Sequence, residues 1–436
     1  MNIILYAIPF FFLLILLELS YGLIRGRNTY RFNDTINSLS MGSLSRLQGL
    51  VILGASGTIY ELIVANYQLV QLGDDQVWVW LSCFVLYDLA YYWKHRFGHE
   101  VALFWGAHVA HHQSEDYNLG TALRQTSVDF YGFLFYLPFF VLGYPAEILF
   151  TVVSLNLIYQ FWVHTEHVPK LGPLEWVFVT PSNHRVHHAR NTIYVDRNYG
   201  GVFIVWDRLF GSFQEELDQE AVVFGLRKPL NSWNPIWANV HVYWRLLQDS
   251  IRAPGLANKV IIWFKPPGWL PSSMQSSCKL RERQPSVAVP DEMTIANAVV
   301  KTGVKTIDKT MNKNSAKFDP PISKFCRLYG FNQFVVTVLL SLYALINSGS
   351  FDYLSTLGLV IFLSYSYYVH GIWMEARTSA VRQEIFRLLI LLLAVQLLVE
   401  NSLAIGILTA YAVASLLLLG VFNGKLNSLD WSNRPS

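Results

Sequence analysis

Long apolar segments are the strongest constraint on how this chain folds. Residues 3–23 read IILYAIPFFFLLILLELSYGL, a run long enough to cross a hydrocarbon core of about 30 Å. Only 14% of the 436 residues are charged, whereas soluble domains contain about 25%. The sequence therefore predicts an all-α, polytopic integral membrane protein. Further apolar stretches lie near 47–65, 77–93, 129–142, 146–163, 332–347, 353–373, 386–400 and 403–422.

Two of these segments need separate interpretation. Residues 3–23 have no basic region before them and no small-residue cleavage site after them, so we expect a retained first helix rather than a signal peptide. Gly143 to Pro145 interrupt the stretch 129–163, and each half is short for a complete span. We expect this stretch to form a re-entrant or in-and-out helical hairpin.

The basic residues predict which side of the membrane each loop faces. With the N-terminus outside and both ends of 129–163 on one side, all 33 Lys and Arg residues lie on a single side or at its boundary. The opposite loops, near 66–76, 348–352 and 401–402, contain none. Because cytoplasmic loops carry the excess of Lys and Arg, we expect the basic side to be cytosolic. The membrane is then the endoplasmic reticulum membrane in a eukaryote or the inner membrane in a bacterium.

Composition also divides the chain into parts. Repeated prolines in a Lys- and Ser-rich segment predict a mostly irregular cytosolic linker over 253–330. This linker separates a membrane-embedded catalytic part, 1–252, from a C-terminal bundle of four spans, 331–436. The net charge of +3 is too close to neutral to indicate nucleic-acid binding. Three widely separated cysteines exclude a disulfide framework and suit a reducing cytosolic face.

Ten of the twelve histidines lie between positions 95 and 188, in four short clusters. Within a cluster the spacing is three or four residues, which places side chains on one face of an α-helix. We therefore predict that four helical segments aim their imidazoles at one place, forming a histidine-rich cap on the cytosolic side. The clusters are His95 and His99; His108, His111 and His112; His164 and His167; and His184, His187 and His188.

Ten imidazoles are enough to hold two metal ions. Zinc sites usually take three protein ligands and an open position, whereas iron with nitrogen ligands suits dioxygen activation. A site at the membrane boundary would allow an alkyl chain to stay in an apolar tunnel, so we predict a dimetal centre that oxygenates a lipid. A metal transporter or channel is the competing class, but it would place histidines inside the spans. His241 and His370 lie outside the clusters and are expected to have ordinary structural roles.

The order of the clusters resembles the fatty acid hydroxylase and sterol desaturase superfamily of membrane diiron oxygenases. Its pattern, HxxxH, HxxHH and HxxHH, is matched by the clusters that begin at His95, His108 and His184. By this resemblance the eight histidines of those clusters are iron ligands, and Glu100, directly after the first cluster, is a catalytic residue. The superfamily often adds ligands between the later boxes, which makes His164 the better candidate and His167 an outer or additional ligand.

Within the superfamily, the residues between the clusters resemble the alkylglycerol monooxygenase family over roughly 1–270. That resemblance implies cleavage of the ether bond of alkylglycerol lipids with dioxygen, two iron ions and tetrahydrobiopterin, together with an external pterin-recycling or redox partner. The matching stretches are HRFGHE at 95–100, SEDYNLGTALRQ at 114–125, LIYQFWVHTEH at 157–167, LGPLEWVFVTPSNHRVHHARN at 171–191 and NYGGVFIVWDRLFGSF at 198–213.

A second enzymatic interpretation remains open at this point. A related oxygenase would hydroxylate or desaturate a sterol, a fatty acyl chain or a carotenoid, with electrons from a small redox protein. The sequence contains neither CxxCH nor GxGxxG, so the reductant must come from outside in either case.

Several polar residues near the clusters have two possible roles each. Asp88 lies in an apolar segment, where carboxylates are costly and usually paired, so it supports the metal site or pairs with a neighbouring group. Asp196 and Asn198 either hydrogen-bond ligating imidazoles or are structural. The run Glu115, Asp116 and Asn118 either binds the pterin or glycerol hydroxyls or caps the next helix.

Overall fold

The computed structural model describes residues 3–275, 317–398 and 401–427, and this part of the chain is helical. Its only β-type pairings are two isolated bridges, Phe178 with Phe203 and Ala189 with Phe224. The predicted all-α class is therefore confirmed. The N-terminal helices are Ile3–Ile24 (α1), Phe32–Tyr67 (α2), Val77–Glu100 (α3), Ala102–His108 (α4), Leu119–Ala122 (α5), Leu137–Val141 (α6) and Ala146–Trp162 (α7).

The remaining helices fall into a short and a long set. Four shorter ones follow α7: Pro181–His187 (α8), Val205–Phe210 (α9), Pro235–Arg252 (α10) and Leu256–Phe264 (α11). The long C-terminal ones are Lys324–Ile346 (α12), Tyr353–Met374 (α13), Ala380–Leu398 (α14) and Ser402–Asn427 (α15). Short 3-10 helices lie at His111–Gln113, Gly132–Phe135, Gly172–Trp176 and Ser348–Ser350.

Four described helices are long and apolar enough to cross a membrane: α1, α12, α13 and the segment Ser402–Val421 of α15. A fifth is added if the two parts of α2, which meet at 53°, form one broken span. Nearly all side chains of α1 are apolar, its single charged side chain, Glu18, is buried, and Phe10, Leu16 and Leu23 are each more than half exposed. A helix of this kind requires hydrocarbon around it, so the predicted multi-pass membrane architecture is confirmed.

Helix α2 begins at Phe32, well before the apolar stretch predicted to start near residue 47. Its first turns are polar and buried because they bind other segments. Asn37 donates to the carbonyl of Trp233 at 2.5 Å, and Asp34 accepts from the Ser114 hydroxyl at 2.7 Å. Hydropathy alone does not detect a helix whose buried side is polar.

The stretch 129–163 is broken where the sequence predicted a break. Gly143 has a φ of +86°, and a Cβ atom at this position would lie 1.8 Å from the carbonyl oxygen of Val70. Only glycine fits there, because both the left-handed backbone and the close approach exclude a side chain. The helices on either side, α6 and α7, are too short to be counted among the candidate spans, and the in-and-out topology stays a prediction.

Residues 276–316, about half of the predicted linker, lie outside the described residues, whereas α11 and the start of α12 lie within the linker bounds and are helical. The residues that follow 316 bind the N-terminal part of the chain. Lys317 Nζ lies 2.5 Å from Asp116 Oδ1, and the backbone amide of Phe318 donates to Glu115 at 2.9 Å. Asn33 in α2 donates to Asp319 at 2.8 Å.

The C-terminal helices pack directly on α2. Phe334 of α12 and Leu363 and Tyr367 of α13 form one buried cluster with Ile36 and Leu47 of α2. The two sides of the predicted linker therefore share a hydrophobic core. The division into 1–252, 253–330 and 331–436 stays a prediction.

A buried ion pair holds the C-terminal helices together. Glu384 and Arg387 of α14 have side chains that are only 1% exposed, and their shortest contact is 2.7 Å. The Glu384 carboxylate also accepts from Tyr329 of α12, and Arg387 donates to Gln333 of the same helix. Gln333 in turn donates to Ser415 of α15, so one polar network joins three helices.

We expect the substitution Arg387→Met to destabilise the fold by about 3–5 kcal/mol, because it leaves the Glu384 carboxylate buried without a counter-ion. Denaturant unfolding in detergent micelles measures this loss. The double variant Glu384→Gln/Arg387→Met is the matched control, and it should recover most of the lost stability because no buried charge remains. Equal losses in the single and double variants would contradict this account.

Candidate metal centre

Nine of the ten histidines that were predicted to be metal ligands converge in two adjacent groups. Within each group, one ring nitrogen of every member lies within 4.8 Å of those of the others. All nine are buried except His108, which is partly buried. The five-histidine group contains His95, His99, His108, His112 and His187, and the four-histidine group contains His111, His164, His184 and His188.

The two HxxHH clusters each contribute to both groups. In the second cluster, His108 and His112 belong to the five-histidine group, whereas His111 belongs to the four-histidine group. The fourth cluster divides in the opposite sense, because only its middle residue, His187, belongs to the five-histidine group. Each HxxHH cluster therefore supplies ligand atoms to both groups. Because the two groups share these short segments, they lie next to each other.

Neighbouring imidazoles approach each other through their Nε2 atoms. Metal–nitrogen bonds of about 2.0–2.1 Å separate adjacent ligand nitrogens by about 2.9–3.4 Å in octahedral or tetrahedral geometry. The observed separations lie in this range. They are 3.0 Å for His95–His108, His108–His112 and His164–His184, 3.2 Å for His184–His188 and 3.3 Å for His111–His164.

Hydrogen bonds on the opposite ring nitrogen set the tautomer of five of these imidazoles. Four of the partners are backbone carbonyls, which can only accept, so Nδ1 carries the proton and Nε2 presents a lone pair to the group interior. The contacts are His95 to Tyr199 O at 2.8 Å, His111 to Arg124 O at 2.9 Å, His164 to Gln160 O at 2.7 Å, His187 to Arg197 O at 3.0 Å and His99 to Asp196 Oδ1 at 3.3 Å.

This arrangement fits a bound cation. His111 and His164 both donate through Nδ1, so their Nε2 lone pairs face each other at 3.3 Å with no proton between them. The buried Nε2 atoms of His99 and His187 have no hydrogen-bond partner. Buried nitrogens in this state cost free energy unless a metal ion accepts their lone pairs.

Burial also keeps the four-histidine group uncharged. It lowers the pKa of His111 to about 4, and it lowers the pKa values of His164, His184 and His188 well below the ordinary value for histidine. These imidazoles are therefore neutral at pH 7, which is the form that binds metals.

Two buried carboxylates position the loop that follows the last histidine cluster. Asp88 of α3 accepts hydrogen bonds from the backbone amides of Val202 and Phe203 at 2.8 and 3.0 Å. Asp207 accepts from the amide of Tyr199 at 2.7 Å, and the carbonyl of Tyr199 is the partner of His95. Asp88 thus positions the loop that contains Tyr199, and no ion pair occurs among its described contacts.

His167 is the one predicted ligand that lies apart from both groups. Helix α7 ends at Trp162, so the segment 163–167 is not helical and the i, i+3 spacing does not place His164 and His167 on one face. The His167 ring packs edge-on against Tyr21, with 5.2 Å between ring centroids.

Glu100 stands at the end of α3 and forms an ion pair with Arg96 at 2.9 Å. Its side chain is 41% exposed, and none of its described contacts is with a histidine. Its catalytic role stays a prediction. His241 and His370 are separate from both groups, and His370 bonds to the Thr337 hydroxyl at 2.9 Å.

The polar residues near the clusters for which the sequence left two roles open make mostly structural contacts. Asn118 caps α5, and Asp116 pairs with Arg31 at 2.6 Å. Asn198 bonds to the backbone of residues 183 and 214. Asp196 is the exception, because it faces His99. Four carbonyl partners of the histidines were missed by sequence reasoning, since a backbone carbonyl leaves no signature in residue identity.

A cavity of about 730 Å³ lies against the histidines, within the usual size of ligand pockets. His95, His108, His111 and His164 line it. Most of the other lining residues are apolar, and those from α1, α2, α7 and α12 include Ile8, Phe11, Ile52, Leu157 and Leu342. The polar lining residues include Arg46, Lys94, Gln125, Thr126 and Asp129.

Comparison with known proteins supports a relationship to lipid hydroxylases. The family described as Fatty acid hydroxylase matches residues 80–212, which contain all four histidine clusters. Alkylglycerol monooxygenase from Xenopus tropicalis is 35% identical over 338 residues, covering 77% of this chain and 69% of the relative. The chain belongs to the alkylglycerol monooxygenase family.

Other members of this family match over a shorter length. The human alkylglycerol monooxygenase is 44% identical over 267 residues, and the Danio rerio protein is 42% identical over 268 residues. Both matches cover 61% of this chain and 59% of the relative. The chain thus spans about three fifths of the length of these two relatives. No solved structure matches it.

We expect His164→Ala to lower the iron content of the purified protein, because it removes one of four converging nitrogens from the four-histidine group. Iron per chain, measured by elemental analysis after loading with ferrous iron, gives the result. His167→Ala is the matched control and should keep the parental iron content. Loss of iron in His167→Ala, or full retention in His164→Ala, would contradict the grouping.

Proposed function

We propose that this protein is a membrane diiron monooxygenase that hydroxylates the carbon next to the ether oxygen of an alkylglycerol lipid. The observation that carries the proposal is the opening of two histidine groups onto one apolar cavity. The hydroxylated product is a hemiacetal, which collapses to a fatty aldehyde and a glycerol derivative. Family membership supports the choice of an ether lipid as substrate.

We assign nine histidines as iron ligands, five to one ion and four to the other. The donor set supports iron, since neutral nitrogen ligands in these numbers exceed what a zinc site normally uses. Iron held in this way supplies the activation of dioxygen. His167 is left out of the assignment because its ring lies against Tyr21.

The chain's own residues position the substrate and exclude water. Apolar side chains from α1, α2 and α7 accommodate the alkyl chain along the cavity. Polar side chains of the cavity lining, including Gln125 and Thr126, would bind the glycerol hydroxyls. The ion pair between Lys94 and Asp129, at 2.6 Å, limits the charge presented to the substrate. Burial of the imidazoles keeps bulk water from the reacting carbon.

The balance of the reaction requires an external reductant. One oxygen atom of dioxygen is inserted into the C–H bond next to the ether oxygen. The other atom is reduced to water, which consumes two electrons and two protons. We propose tetrahydrobiopterin as the electron donor, followed by recycling through a separate partner. The location of the basic residues supports a site on the cytosolic side, in the endoplasmic reticulum membrane or a bacterial inner membrane.

A direct test uses the full chain in detergent with ferrous iron, an alkylglycerol, dioxygen and tetrahydrobiopterin. We expect fatty aldehyde to form, and omission of any component should abolish it. The family description Fatty acid hydroxylase makes a sterol or acyl lipid the natural comparison. Turnover of those lipids with a redox-protein donor, without aldehyde from the alkylglycerol, would overturn the proposal in favour of that alternative.

We expect Gly49→Leu to reduce activity on long alkyl chains more than on short ones. Gly49 lies on the cavity wall, and a Cβ atom there meets no atom within 4 Å, so a larger side chain would occupy space that the substrate needs. Relative kcat/KM across a series of alkyl chain lengths measures the effect.

The matched control for this substitution is Gly406→Leu. Gly406 lies in α15, away from the cavity, and also has open space around its Cβ position. It should leave the chain-length preference unchanged. An equal loss for all chain lengths in Gly49→Leu would show that the cavity does not hold the alkyl chain.

A further inference from the structure

An exposed apolar surface lies on two segments, 172–178 and 205–210, outside the helices that could span a membrane. We call it the Trp176–Leu209 patch. Monomeric soluble surfaces rarely keep contiguous apolar groups of this size without a function. Seven large apolar side chains, each more than a third exposed, form the patch: Leu174, Trp176, Val177, Phe178, Val205, Leu209 and Phe210.

Backbone pairing joins the two segments into one surface. Phe178 and Phe203 form an antiparallel bridge, and their rings lie 5.7 Å apart. The amide of Ile204 donates to the carbonyl of Val177 at 3.0 Å. The side chains of the two segments therefore belong to a single fixed surface and not to independent loops.

The Trp176–Leu209 patch is fixed alongside α3. The ring of Phe203 lies 6.0 Å from that of Phe84, and Phe210 stacks on Tyr92 at 5.3 Å. At 1.5 Å per residue, Phe84 lies about 16 Å along the helix from His95. The patch thus extends from the histidine end of α3 toward its apolar half, where Val85 is exposed.

The charges around the patch suit a membrane surface. Glu175 and Asp207 are the two carboxylates of its segments, and both are buried. Arg208 is the exposed charge, and its guanidinium lies 3.7 Å from the ring centroid of Phe213 and 5.8 Å from that of Trp176. Arginine beside tryptophan is typical of the water–lipid boundary, and a lone cation favours anionic headgroups.

We infer that the Trp176–Leu209 patch is inserted into the headgroup and upper acyl region of the bilayer, so that its occupant is lipid. Its continuity with the exposed apolar side of α3 favours lipid over a protein partner. Insertion would hold the loop that carries Tyr199, whose carbonyl orients His95, against the membrane. The inference is independent of the proposed reaction and is tested without activity.

The test places a single cysteine at Trp176 or Leu209 of the full chain, after replacement of Cys83, Cys278 and Cys326. Each cysteine carries an environment-sensitive fluorophore, and the protein is reconstituted in vesicles of phosphatidylcholine and phosphatidylserine. Lipids with a nitroxide on the upper acyl chain should quench Trp176→Cys and Leu209→Cys strongly, because both labels would lie among the lipids.

Two further labelled positions calibrate this experiment. Leu16→Cys, on the exposed surface of α1, reports contact with lipid, and Asp218→Cys, whose side chain is 91% exposed, reports water. The patch labels should be quenched to a degree close to Leu16→Cys and several times more than Asp218→Cys. Quenching equal to that of Asp218→Cys would overturn the inference, whether the patch faces water or is covered by a protein. Unchanged thermal unfolding of each variant confirms that the fold is intact.

Discussion

The convergence of nine imidazoles in two adjacent groups is the constraint on which the rest of this structure depends. His111 and His164 present lone pairs to each other at 3.3 Å in a buried site, and each proton is committed to a carbonyl on the other side of its ring. Such a contact is unfavourable without a cation. The surrounding hydrogen bonds and packing provide the rigidity that holds these rings together.

Buried polar side chains provide much of that rigidity. Asp88 in α3 accepts hydrogen bonds from three donors of the segment 202–206 and from the side-chain amide of Asn156 in α7. Glu18 in α1 accepts from the amide of Leu119 at 2.8 Å and also bonds to Thr165, next to His164. Arg124, buried below the second cluster, donates to the carbonyl of Ala110 at 2.7 Å. Glu18 thus connects α1 to the segment that carries His164, and Arg124, which also donates to Asn37, connects α2 to the second cluster.

Much of the architecture could be predicted because hydropathy and histidine spacing report directly on burial and on helical faces. The first helix, the break near Gly143 and the convergence of nine histidines all follow from such local patterns. His167 lies apart from the two groups because α7 ends at Trp162, before the helical turn that its spacing implied. The early start of α2 also escaped prediction, because the polar residues that it buries look like solvent-exposed ones in a linear sequence.

The partition of each HxxHH cluster between two groups was not evident from spacing alone. A three-residue step and a four-residue step turn a helix by different angles, so the middle and outer histidines diverge. Three of the carbonyl partners were hidden for another reason: they depend on which backbone segment, ten or more residues away, reaches the ring. For Arg197 and Tyr199, packing of the loop after the last cluster decides this, and no single residue type encodes it.

The unequal size of the two groups has a consequence for any pair of ions that occupies them. An ion held by all five histidines of the larger group would have less room for an additional small molecule than an ion held by the four of the smaller group. The two positions would then differ in Lewis acidity and in redox behaviour, although every ligand is the same kind of side chain. Such a centre is asymmetric by ligand count alone, and its two halves would give distinct spectroscopic signals.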